Sequence, residues 1–123
     1  MRKIRRAKLA ALAVGVLALP AALVAGTAGT ASANASCGTT GPNLDTAVVS
    51  MTAGVSANMR SGSSTGCGVK GWADNRDSLD YYCYTWDPNW ESWTYLYNRH
   101  DGTYGWVKDS LLPNNGSTKH CGF

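Results

Sequence analysis

The chain has little of the equipment that enzymes, metalloproteins and nucleic-acid binders are built from. Its 123 residues include only two histidines. His100 and Asp101 are adjacent, on a stretch that reads as a hairpin tip, where neighbouring side chains seldom face each other productively. A cysteine nucleophile needs a free thiolate beside a histidine, and the four cysteines of this chain are an even set suited to pairing. C-x-x-C spacing is lacking, which argues against a four-cysteine zinc site, and no His/Asp cluster suggests another metal. The eight acidic residues are scattered, and a domain this small offers little cleft for a glycosidase-like pair. There is no long helical period and no internal repeat. We therefore expect no enzyme and no cofactor.

Basic residues are also scarce once the N-terminus is set aside. Arg2, Lys3, Arg5, Arg6 and Lys8 precede an apolar run from Leu9 to about Gly26, broken by Pro20. Small residues then lead to Ala31-Ser32-Ala33 and Ala33-Asn34-Ala35, two overlapping A-x-A sequences. This is the layout of a secretory signal peptide, so residues 1–35 are expected to be removed, with cleavage after Ala33 or Ala35. A membrane anchor is the rival reading, since about 18 apolar residues could just span a bilayer. The Ala/Gly content, Pro20 and the cleavage-type ending favour removal. Arg5-Arg6 lacks a fuller twin-arginine motif, which points to the general secretory route. From Ser36 onward six Lys and Arg face eight Asp and Glu, a net of −2, against +3 for the whole chain. With no basic cluster left, a nucleic-acid partner is not expected. The expected location is extracellular or at the cell wall, as a monomer with no stable membrane insertion.

The remaining stretch, about 88 residues, suits one small domain that is marginal without covalent help. Cys37, Cys67, Cys83 and Cys121 supply that help as two disulfides. Three connectivities are open. The expected pairs are Cys67–Cys83 and Cys37–Cys121, the second because the ends of a closed barrel tend to meet.

Along this stretch, Ala47–Val49, Val55–Met59, Val69–Ala73, Ser78–Thr85, Trp93–Tyr97 and Thr103–Lys108 have strand character. Gly54, Ser61–Gly68, Asp74–Asp77 and Asn98–Gly102 punctuate them. In Ser78–Thr85, strict alternation sets Leu79, Tyr81 and Cys83 on one face and Asp80, Tyr82 and Tyr84 on the other. A single helical turn is expected at Asp109–Leu112 before Pro113. Asn115-Gly116-Ser117 fits a glycosylation sequon but reads as a turn. The expected fold class is all-β: a small barrel of five to seven short strands, disulfide-stabilised.

Several pieces in order carry a family resemblance: Asn58-Met59-Arg60-Ser61-Gly62-Ser63-Ser64-Thr65, Arg76-Asp77-Ser78-Leu79, Trp93-Thr94-Tyr95-Leu96, Gly105-Trp106-Val107 and Leu111-Leu112. Together they resemble the bacterial Src-homology-3 (SH3b) pattern over residues 57–112. The resemblance implies an SH3-like barrel at 55–113, preceded by an N-terminal extension with the first strand (36–54) and followed by a tail (114–123) tied by a disulfide. It also implies a non-catalytic module that binds peptidoglycan peptide, another cell-wall component or another peptide. A secreted protein-binding factor or inhibitor is the alternative. Ser63 stands where the pattern has proline, the cysteines are not part of it, and Trp86–Ser92 is longer than the usual connection.

All five tryptophans and six tyrosines lie between Trp72 and Trp106, too many rings for so small a core to bury. Partly exposed Tyr and Trp give rigid contact area at low entropy cost. The expected ligand contacts are Tyr82, Tyr84, Trp86, Trp90 and Tyr97, with Asn58 and Arg60 orienting carbonyls. Arg60 has an equally good structural reading, bonding carbonyls of its own loop. In the loop Trp86–Trp93, Asp87 could cap a helical turn with Pro88 at its first position. Trp86, Trp90 and Trp93 would then share one side, as a lid over the core, an aromatic wall, or both. Trp106 could pack in the core or at its rim.

Overall fold

Each alternating run forms a strand, and each cluster of small or polar residues turns the chain. A computed structural model describes residues 34–123. All of the expected signal peptide before Asn34 lies outside the described residues. The strands are β1 (Val48–Ser50), β2 (Ser56–Arg60), β3 (Val69–Asp74), β4 (Ser78–Trp86), β5 (Ser92–Asn98) and β6 (Thr103–Lys108). They pair antiparallel in one six-stranded sheet, in the order β1-β4-β5-β6-β2-β3. Short 3₁₀ turns follow at Asp109–Leu111 and Pro113–Asn115. The turn expected at Asn115-Gly116-Ser117 is present, with positive φ at Asn114, Asn115 and Gly116.

The expected closed barrel is not what forms: β1 and β3 end the sheet and do not pair with each other. The reason is local. Strand β1 is three residues long, and the turn after β3 takes up the backbone of Met51 just beyond it. Met51 N–H donates to Asp77 C=O at 2.8 Å, and Arg76 N–H donates to Met51 C=O at 3.0 Å. The sheet is nonetheless strongly coiled, since residues from both of its ends meet in one core. Met51, Ala57, Met59, Ala73, Leu79, Tyr81, Leu96, Val107 and Leu112 form that cluster.

Strand β4 carries the main departure from simple alternation. Tyr81 pairs with Leu96, but Cys83 pairs with Tyr95, so Tyr82 is the extra residue of a β-bulge. Leu96 and Tyr95 point to opposite faces, and Tyr81 and Cys83 therefore do too. The expectation that Leu79, Tyr81 and Cys83 share a face is corrected accordingly, as is the pairing of Tyr82 with Tyr84. Tyr81 and Tyr84 lie on the core face, whereas Tyr82 and Cys83 lie on the reverse face.

The reverse face is also covered, by the two terminal segments. A second cluster there joins Ala35, Cys83, Trp93, Tyr95, Trp106 and Cys121, with Tyr82 and Phe123 against it. Trp106 is fully buried, and its indole N–H donates to Thr39 C=O at 2.8 Å. The disulfides follow from this arrangement. They are Cys37–Cys67 and Cys83–Cys121, not the expected Cys67–Cys83 and Cys37–Cys121. The bulge turns Cys83 toward the C-terminal tail, while Cys67, in the loop after β2, meets the N-terminal segment. Each bridge thus fastens one terminal segment to the sheet.

Gly105 lets β2 cross β6 closely. A Cβ there would lie 3.0 Å from the Met59 Cβ and 3.3 Å from the Arg60 carbonyl oxygen. The crossing places Arg60 opposite Trp106, so the Asn58–Thr65 and Gly105–Val107 pieces of the sequence pattern pair directly.

Candidate functional site

Beyond the apolar cluster the core face becomes polar and aromatic. Tyr84 and Trp86 continue β4 on this face, opposite Thr94 and Ser92. Together with Asp109, Asn114, Asn115, Ser117 and Thr118 they line an open groove of about 360 Å³. Ser92, Asp109 and Asn115 also line an adjoining groove of about 220 Å³, which reaches Glu91, Lys108 and Ser110. Lys108 and Ser110 in turn border a third, of about 320 Å³, with Asn58, Arg60, Thr65, Trp93 and Leu111. The shared lining residues make one trough. It runs from Tyr84 and Trp86, past the end of β6, to Asn58 and Arg60.

The aromatic end is a chain of edge contacts. Tyr84 meets Trp86 at 5.7 Å between ring centroids and His120 at 5.3 Å, both T-shaped. Trp86 lies 6.3 Å from Trp90, which is 71% exposed. Such pairs use the edge-to-face attraction of aromatic quadrupoles, with Tyr84 and Trp86 half-buried. His120 is held there because the tail pairs with β4: Tyr84 N–H donates to Lys119 C=O at 2.8 Å, and Cys121 N–H donates to Tyr84 C=O at 2.9 Å.

The expected helical turn after Trp86 does not form. Strand β4 runs through Trp86, and residues 87–91 make a tight hairpin loop instead. Asp87 organises it without starting a helix: its Oδ1 accepts the N–H groups of Asn89 (2.8 Å) and Glu91 (2.9 Å). Its Oδ2 accepts the Trp93 indole N–H at 3.0 Å. Trp93 is therefore buried beneath the loop, while Trp86 and Trp90 stay outside. Burial alone would raise the Asp87 pKa. The Trp93, Glu91 and Asn89 donors, with Lys108 nearby, outweigh burial and hold the carboxyl below its ordinary value.

Charge is concentrated in the middle of the trough. Asp109 is buried at its floor, with Thr94 Oγ1 donating at 2.5 Å. Desolvation pushes its pKa up to about 6, against the lowering effect of the Ser92 and Thr94 hydroxyls. Lys108 pairs with Glu91 at 2.8 Å and sits 5.8 Å from the Trp93 ring centroid. At the far end, Arg60 Nη1 donates to Cys67 C=O at 2.9 Å. The structural reading of Arg60 thus holds, and the same side chain still lines the trough.

Of the seven expected contact residues, Tyr84, Trp86, Asn58 and Arg60 line the trough and Trp90 adjoins it. Tyr82 and Tyr97 belong elsewhere, on the reverse face with Tyr104. The Tyr104 ring lies 5.8 Å from Tyr82 and 4.6 Å from Tyr97. Hydrogen bonding with Tyr104, then partial burial, pushes the Tyr82 hydroxyl up to about 12. Ser92, Asp109, Asn115 and Ser117 were not anticipated as lining residues. The one available signal was Asp109, an acid at the start of an expected turn.

No protein-family model, curated protein or solved structure matches this chain.

Proposed function

We propose that this chain is a secreted, non-catalytic binding module of SH3-like type, whose ligand is a peptide, foremost the peptide of peptidoglycan. The observation that carries the reading is the trough. It joins the half-buried rings of Tyr84 and Trp86 and the exposed ring of Trp90 to a polar end at Asn58 and Arg60. An extended peptide suits such a surface: its flat amide and side-chain groups stack on the rings, and its carbonyls meet Arg60, Asn58 and the Asn115 amide. Asp109 and Lys108 lie between, where amino and carboxylate groups of a stem peptide would find opposite charges. The two disulfides are consistent with an extracellular location.

The alternative reading, a protein-binding factor or inhibitor, is favoured by the reverse-face tyrosines. Tyr82, Tyr97 and the 40% exposed Tyr104 make a second aromatic patch, the kind of surface that suits a protein partner.

The test is a pull-down of the oxidised mature chain on purified cell wall. Retention that falls at least about tenfold in Trp86→Ala, but not in Tyr104→Ala, supports the trough. Absence of retention, with capture of a secreted protein that Tyr104→Ala abolishes, supports the alternative.

A further inference from the structure

The two A-x-A sequences leave two candidate cleavage bonds, Ala33–Asn34 and Ala35–Ser36. We infer that the mature chain begins at Asn34, because Asn34 and Ala35 are built into the fold and hold the end of β4 at Trp86. The inference rests on the reading of residues 1–33 as a removable signal, and not on any ligand. Cleavage at that bond consumes one water, leaving a carboxylate on Ala33 and an amino group on Asn34.

Ala35 is 2% exposed and belongs to the reverse-face core cluster. It sits in a slot made by Gly62 and Ser63, 28 residues away. Its N–H donates to Ser63 Oγ at 2.9 Å, and its carbonyl accepts the Ser63 N–H at 2.9 Å. The Ser63 hydroxyl also donates to Trp86 C=O at 2.8 Å, so the same side chain ties Ala35 to the end of β4. Gly62 makes room: a Cβ there would lie 2.7 Å from the Ala35 carbonyl oxygen. Asn34 extends the contact. It forms a parallel bridge with Trp86. With its amide nitrogen turned inward, it donates to the carbonyls of Trp86 (3.1 Å) and Asp87 (3.0 Å).

This slot accounts for the departure from the family pattern at Ser63. A proline there has no N–H to give the Ala35 carbonyl and no hydroxyl to reach Trp86. Signal removal precedes folding, so burial does not shield the second bond. What matters is the product. A chain starting at Ser36 leaves the buried Ser63 N–H without its acceptor and removes a buried side chain from the reverse-face cluster, both destabilising.

Two experiments decide the matter. The full chain is exported from a bacterial host, and the mature product is read by N-terminal sequencing and intact mass. A start at Asn34 is expected; a start at any other residue overturns the inference. Separately, chains beginning at Asn34 and at Ser36 are refolded under oxidising conditions, each with and without Ser63→Ala. The shorter chain is expected to melt at least about 5 °C lower. Ser63→Ala is expected to lower Tm more in the longer chain than in the shorter, since only there does Ser63 hold Ala35. Equal melting temperatures, or an equal effect of Ser63→Ala in both, show the segment to be dispensable and overturn the structural role. Neither experiment involves the cell wall, so failure of the wall-binding reading leaves them intact.

Discussion

The indole N–H of Trp93 donates to the Asp87 carboxylate at 3.0 Å, and the β4–β5 loop is built over that bond. The same carboxylate accepts two loop amides, so three donors lose their partner in Asp87→Ala. We expect that change to cost about 2–4 kcal/mol, read as a lowered denaturation midpoint. The pH dependence has a definite sign. The folded pKa lies below the ordinary 3.8, so the stability from Asp87 is present above about pH 4 and is lost as pH falls through the folded value. Asp87→Asn should therefore flatten the acid limb of the stability curve. An unchanged limb would show that the carboxylate is not bound as described.

Trp90 presents a conflict between backbone and side chain. Its φ is +63°, a left-handed conformation that bulky residues resist at a cost on the order of 1 kcal/mol or more. Asparagine tolerates it better. A large ring retained there, 71% exposed, has no packing reason strong enough to justify the strain. Trp90→Asn is expected to leave Tm unchanged or raise it by a few degrees, while weakening retention on cell wall several-fold. A clear fall in Tm would instead mark Trp90 as a structural lid.

The strands were legible because their alternating runs are bounded by Gly, Asn and Asp, and six of six fall within two residues of their expected ends. The bulge at Tyr82 was not legible, for a physical reason. Both faces of the sheet are covered near Cys83, so burial keeps alternating along β4 while the side chains change face. Everything downstream of that shift was misread, namely the partner of Cys83 and the grouping of Tyr82 with Tyr84. At the site, the aromatic residues were legible because so small a core cannot bury them all. Asp109, Ser92 and Asn115 carry no periodic signal: the β4–β5 register sets Ser92 opposite Trp86, and the return of the chain after β6 brings Asp109 and Asn115 to the same groove. Asn98 escaped for the same reason. Its buried amide donates to Trp72 C=O and to Asp77, and its carbonyl caps the β5–β6 turn at His100 and Asp101.

Asp109 gives a pH dependence opposite to that of Asp87. Its folded pKa, about 6, lies above the ordinary 3.8, so the native state holds the proton more tightly than the unfolded chain. Its contribution to stability is present below about pH 4 and is lost as pH rises through 6. Asp109→Asn removes that loss. The stability of this variant relative to the parent is expected to rise between pH 4 and pH 7, by up to about 3 kcal/mol. Denaturant midpoints measured across that range check it, and a constant difference would mean that Asp109 titrates normally.

The two disulfides should differ in what they protect. On the chain-entropy model, loops of 30 and 38 residues give each bridge a similar stabilisation, about 3–4 kcal/mol. Their positions are not equivalent. Cys83–Cys121 holds the tail whose Ser117 and Thr118 line the trough and whose His120 meets the Tyr84 ring. Cys37–Cys67 holds the N-terminal segment, which meets the backbone of Trp86 but supplies no residue to the trough lining. Replacing Cys83 and Cys121 together with alanine is expected to lower both stability and wall retention. Replacing Cys37 and Cys67 should lower stability comparably while sparing most retention at a temperature where the variant stays folded. Non-reducing peptide mapping checks the premise first: a fragment joining Cys37 to Cys121, or Cys67 to Cys83, would refute the described connectivity and with it this asymmetry.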